Sequence, residues 1–98
     1  MIITGDGHNN IVQDDVAKLE FWDKLKELQN FISSNPAETA LCAKAQYYIG
    51  CYYYSIRQYQ KAIDEYKTVL KSYPSSASEC ANAQFEIAQI TLNSLNKP

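Results

Sequence analysis

The residues of this sequence that could do chemistry are few: three cysteines (Cys42, Cys51, Cys80), one histidine (His8), and the carboxylate pairs Asp14-Asp15 and Asp64-Glu65. A reactive cysteine needs an electropositive, exposed setting that favours the thiolate. No histidine stands near any of the three in the sequence pattern, and none forms a Cys-x-x-Cys pair, so no metal or redox motif is visible. His8 is alone in a Gly/Asp/Asn-rich leader and reads as a surface residue. Helix capping and a solvated helix face account for the carboxylate pairs. The expectation is no catalytic residue, no metal and no cofactor.

The elements that would position these residues belong to one domain at most. A chain of 98 residues can bury a single modest core, and 46% apolar with 20% charged residues suits a folded globular protein. A nucleic-acid binder would show a basic stripe. Here the formal net charge is −2, and Lys18, Lys24 and Lys26 are interleaved with Glu20, Asp23 and Glu27, so no nucleic-acid partner is expected. No apolar run is long enough to span a bilayer, and the opening MIITGDGHNN holds too few apolar residues for a signal-peptide core. An odd cysteine count without such a signal points to reduced thiols and a cytoplasmic location.

An internal repeat organises the rest. PAETALCAKAQYYIG begins at Pro36 and PSSASECANAQFEIA at Pro74. Pro36/Pro74, Cys42/Cys80, Ala45-Gln46/Ala83-Gln84 and Ile49/Ile87 all match at one offset (74 − 36 = 38). The same offset carries Phe21, Leu25, Leu28, Phe31 and Ile32 onto Tyr59, Ile63, Tyr66, Val69 and Leu70. The equivalence of Cys42 and Cys80 marks them as small core residues.

Apolar residues at Phe21, Leu25, Leu28 and Ile32 recur at helical spacing, with Asp14 or Asp15 as the expected cap. Ser33-Ser34-Asn35-Pro36 breaks that helix. Further helices are expected over about 37–55, 58–72 and 77–95. The turn near Ile56-Arg57-Gln58 is the weakest boundary, because it lacks both Gly and Pro.

Residues Ala43 to Pro74 resemble one complete tetratricopeptide repeat, with Ile49-Gly50, Tyr53, Tyr59, Ala62, Tyr66, Leu70 and Pro74 at the family's signature spacings. Gln46 stands where the family often has Trp, Arg57 where its turn usually has Gly, and Val69 where Ala is common. Residues 16–36 resemble the second helix of a preceding unit, with Lys24 in place of its small residue. Residues 77–95 resemble the first helix of a following unit, with Ala88 in the small-residue slot. The offset exceeds the family's period of about 34 residues. Similar lengthened repeats occur in bacterial envelope proteins of the family, which carry the secretory signal not seen here. The resemblance implies an all-α fold: antiparallel helical hairpins stacked as a short right-handed superhelix of about four helices. It also implies close contact of paired helices at Gly50 and Ala62.

In this family the first helix of each unit lines a concave groove that takes a peptide or helix segment of a partner protein. Carried over, the groove positions are Lys44, Tyr47, Cys51, Tyr54 and Ser55, then Asn82, Phe85, Gln89, Leu92 and Asn93. Aromatic and amide side chains suit such a ligand, although an aromatic stripe equally serves helix packing. Tyr47 and Cys51 replace the Lys and Asn clamp of the chaperone-tail binders, so that activity is not expected. A second apolar stripe on the last helix (Phe85, Ala88, Leu92, Leu95) is a candidate homodimer interface, and homo-oligomerisation without a separate ligand is the alternative function.

The expected organisation is a leader over 1–15, a helical domain over 16–95 and a tail over 96–98. Ile2-Ile3 and Ile11-Val12 flank Gly5-Asp6-Gly7, so the leader is read as a flexible tail or a small hairpin. It faintly resembles leaders of bacterial signalling and defence proteins.

Overall fold

Three interruptions of an otherwise helical backbone set the architecture. The computed structural model describes the backbone of residues 6–95 and the side chains of residues 20–93. The elements are α1 (Asp6–Ser34), α2 (Thr39–Ser55), α3 (Tyr59–Ser72) and α4 (Ala77–Ile90), the last continuing as a π-helical turn over Thr91–Leu95. Each helix packs on the next as an antiparallel hairpin, and α4 also touches α2. The fold is all-α, and among the described residues there is no strand.

The interruptions before α2 and α4 are copies of one another. Asn35 N–H donates to the Phe31 carbonyl at 2.9 Å, and Tyr73 N–H to the Val69 carbonyl at 3.0 Å. Glu38 N–H then closes on Asn35 O and Ser76 N–H on Tyr73 O, both at 3.0 Å. The thiol of buried Cys42 donates to Asn35 O at 3.1 Å, and the thiol of half-buried Cys80 to Tyr73 O at 3.3 Å. Every one of these pairs is related by the sequence offset. The two cysteines therefore satisfy loop carbonyls as well as filling space, which spares the turn an unpaired acceptor.

The turn between α2 and α3 is different. Arg57 N–H donates to Tyr54 O at 2.9 Å and Gln58 N–H to Tyr53 O at 3.0 Å, the two bonds of a Schellman motif. That motif needs a left-handed residue after the helix, and Arg57 supplies it with φ 64°. Glycine is the usual occupant because it has no Cβ to crowd the carbonyl.

The core lies where α3 is sandwiched. Ala62, Ile63, Tyr66 and Val69 of α3 are buried together with Leu25 of α1, Ile49 and Tyr53 of α2, and Ala83 and Ile90 of α4. The one buried polar side chain among the described residues, Gln46 of α2, crosses to α3, where its amide donates to the Glu65 carbonyl (3.1 Å) and carboxylate (2.6 Å). Gly50 lets α3 approach, but its nearest neighbour is the ring of Tyr66 rather than the expected Ala62.

Two expectations for the start of the chain are corrected. The backbone from Asp6 onward is helical, so Ile11-Val12 is not one arm of a hairpin, and Asp14 and Asp15 lie inside α1 rather than capping it. No Gly or Pro interrupts the sequence from His8 to Ser34, and extending a formed helix avoids the penalty of nucleating a new one. Ile2, Ile3, Gly5 and the tail 96–98 lie outside the described residues.

Candidate functional site

Two surfaces follow from this packing. One is shared by α2 and α4, the other lies between α1 and α2.

On the α2–α4 side, Tyr47 is half-buried and bridges the helices: its hydroxyl donates to the Glu86 carboxylate at 3.1 Å, and its ring lies 5.4 Å from that of Tyr66. Cys51, also half-buried, accepts the Tyr66 hydroxyl at 3.3 Å. Burial, then the contact with Cys51 and the nearby Glu86 carboxylate, push the Tyr66 phenol far above its ordinary range; Tyr47 is raised for the same kinds of reason, burial first. These two groove candidates are thus held in internal contacts. Tyr54 stays exposed although its ring rests 5.5 Å from that of Tyr59. Phe85 (61% exposed) and Leu92 (64%) project into solvent, as do Asn82, Gln89 and Asn93. Ala88 is exposed too, whereas the Leu95 side chain lies outside the described residues.

Between α1 and α2 run three adjoining hollows. The largest, about 730 Å³, is lined by Glu20, Phe21, Asp23, Lys24 and Glu27 of α1 and by Tyr52 and Ser55 of α2, with Ile56 at its end. The next, about 430 Å³, shares Lys24, Glu27, Tyr52 and Ser55 with it and adds Leu28, Tyr48 and Cys51. The third, about 460 Å³, continues past Phe31 to Leu41, Lys44 and Ala45. Lys44, Cys51 and Ser55 of the expected site therefore line this second groove, which has an apolar aromatic floor and a charged rim. Lys24 and Glu27 on the rim form a surface ion pair at 3.8 Å, of little energetic weight.

Sequence reasoning missed Tyr48, Tyr52 and the α1 side of this groove, and it missed Glu86 as the partner of Tyr47. The repeat offset held part of the signal, because it names α1 as the counterpart of α3. Among the described residues no group of three or more His, Cys, Asp or Glu side chains comes together, and no helix is long and apolar enough to cross a membrane. No family model, curated protein or solved structure matches this chain.

Proposed function

We propose that this chain is a tetratricopeptide-like protein-interaction module that holds an extended or helical segment of a partner protein against α2 and α4. The observation that carries the reading is the pair Tyr54 and Leu92. They occupy equivalent positions of the repeat on neighbouring helices, and both remain exposed although they are large and apolar. Phe85 and the amides of Asn82, Gln89 and Asn93 extend the same surface. Aromatic and aliphatic anchors supply most of the affinity in such sites, and amides fix the ligand backbone.

The module is non-catalytic and uses no cofactor in this reading. Its thiols are occupied structurally: Cys42 and Cys80 donate to loop carbonyls and Cys51 accepts a tyrosine hydroxyl. Three free thiols favour the cytoplasm, and the net charge of −2 disfavours nucleic acid as the partner. The test is to select peptide ligands from a display library and measure them against Tyr54→Ala, Phe85→Ala and Leu92→Ala. Affinity should fall about tenfold or more for at least two of the three with helicity retained. Unchanged affinity in all three would remove this surface as the site.

A further inference from the structure

The offset that relates the two loops also relates whole helices: α4 repeats α2, and the second half of α1 repeats α3. Within the chain α2 is covered by α3, which leaves Ala43, Gln46, Gly50 and Tyr53 buried. Their counterparts on α4 are Ala81, Gln84, Ala88 and Thr91, and all four are exposed. The counterpart of α3, meanwhile, presents an open groove beside α2. We propose that a second copy of the chain joins these two surfaces head to tail, α4 of one copy seating in the α1–α2 groove of the next. The helix hairpin formed by α2 and α3 inside a chain would then be rebuilt between chains by α4 and α1.

Three contacts test the register residue by residue. The bond from Gln46 to Glu65 transposes to Gln84 and Glu27, the same residue types, both exposed in the single chain. The close approach of Gly50 to Tyr66 transposes to Ala88 and Leu28, where a larger residue on one side meets a smaller one on the other. Their combined size suits one gap, as close packing demands. The contact of Tyr47 with Glu86 transposes to Phe85 and Tyr48, which places together two aromatic rings that are 61% and 46% exposed. A two-fold contact of α4 with α4 would use none of these pairs and would leave the groove open.

Lys24 is the misfit, since it stands in the slot of the fully buried Ala62. Its alkyl stem can lie along the seated helix while the ammonium reaches water, at some cost to affinity. The contact is heterologous, so each copy offers one helix and one groove, and the assembly grows as an open chain. Phe85 belongs to both surfaces, but Tyr54 and Leu92 need not take part, so self-assembly can fail while peptide binding at Tyr54 and Leu92 stands.

Sedimentation of the 98-residue chain across the micromolar to millimolar range tests it, beside Lys24→Ala, Ala88→Arg and Tyr48→Arg. The unmutated chain should gain mass with concentration beyond the dimer, and Lys24→Ala should shift that growth to lower concentration. Ala88→Arg blocks the helix and Tyr48→Arg the groove; both positions are exposed, so each variant should fold as a monomer with unchanged circular dichroism. Mixed together they should form a one-to-one dimer, because one still owns a groove and the other a helix. A monomer at every concentration, or a dimer of the unmutated chain that the two variants fail to rebuild on mixing, would overturn the proposal.

Discussion

Gly50 lies beneath the ring of Tyr66, so close that a Cβ added to it would fall 2.5 Å from Cε1 and 2.6 Å from Cδ1 of that ring. Tyr66 is 1% exposed and cannot swing aside. Gly50→Ala should therefore lower stability by about 1–3 kcal/mol through overpacking. Gly50→Ala with Tyr66→Leu, the pair found at Ala88 and Leu28, should cost less than the sum of the single changes. Denaturant unfolding of all four proteins measures the coupling, and additive effects would show that the two positions do not meet.

The left-handed Arg57 gives a gain in the opposite direction. Replacing it by glycine keeps the Schellman bonds and removes the crowding at φ 64°, so Arg57→Gly should raise stability by up to about 1 kcal/mol despite the looser unfolded chain. Arg57→Val should lower it, because a β-branched residue fits that conformation worse still. A thermal midpoint that drops with glycine would contradict the reading of this turn.

Much of this was legible in the sequence. The offset of Pro36 to Pro74 fixed the repeat, and the starts of α2 and α3 fall within two residues of those expected. The turn at Arg57, the weakest boundary by composition, is made by backbone bonds that do not require glycine. Three features were not legible. The leader carries turn-forming residues, yet helix propagation from the strong pattern downstream takes over from Asp6. The neighbour of Gly50 is Tyr66 because side chains lean toward the N-terminus of their helix, so the spot opposite Gly50 is covered from one turn further along α3 than Ala62. The bond of Tyr47 to Glu86 joins helices two apart in order, and spacing along one helix does not encode it.

Tyr66 also sets a limit at high pH. Its folded pKa is raised by burial, then by its bond to Cys51, so folding favours the neutral phenol. That contribution is fully present below the unfolded value of about 10 and is lost as pH rises above it. Stability should be level through neutral pH and fall above about pH 10. Tyr66→Phe should flatten the fall while leaving part of it, because Tyr47 is raised as well. Equal alkaline slopes for both proteins would assign the loss elsewhere.

The buried thiol of Cys42 predicts a loop effect. Cys42→Ala removes the donor to Asn35 O and leaves a small void in a fully buried site, so it should cost about 1–3 kcal/mol. Cys51→Ala, at a half-buried position, should cost less. Parallel urea titrations compare the two, and the reverse order would deny Cys42 its role in the turn.

The interaction-module reading is tested most directly by mapping amide chemical shifts while a library-selected peptide is titrated into the folded chain. Saturable shifts should concentrate at Tyr54, Asn82, Phe85, Gln89, Leu92 and Asn93, the exposed residues of the α2–α4 surface. Shifts concentrated instead at Asp64, Lys67 and Lys71, exposed residues of α3, would contradict it.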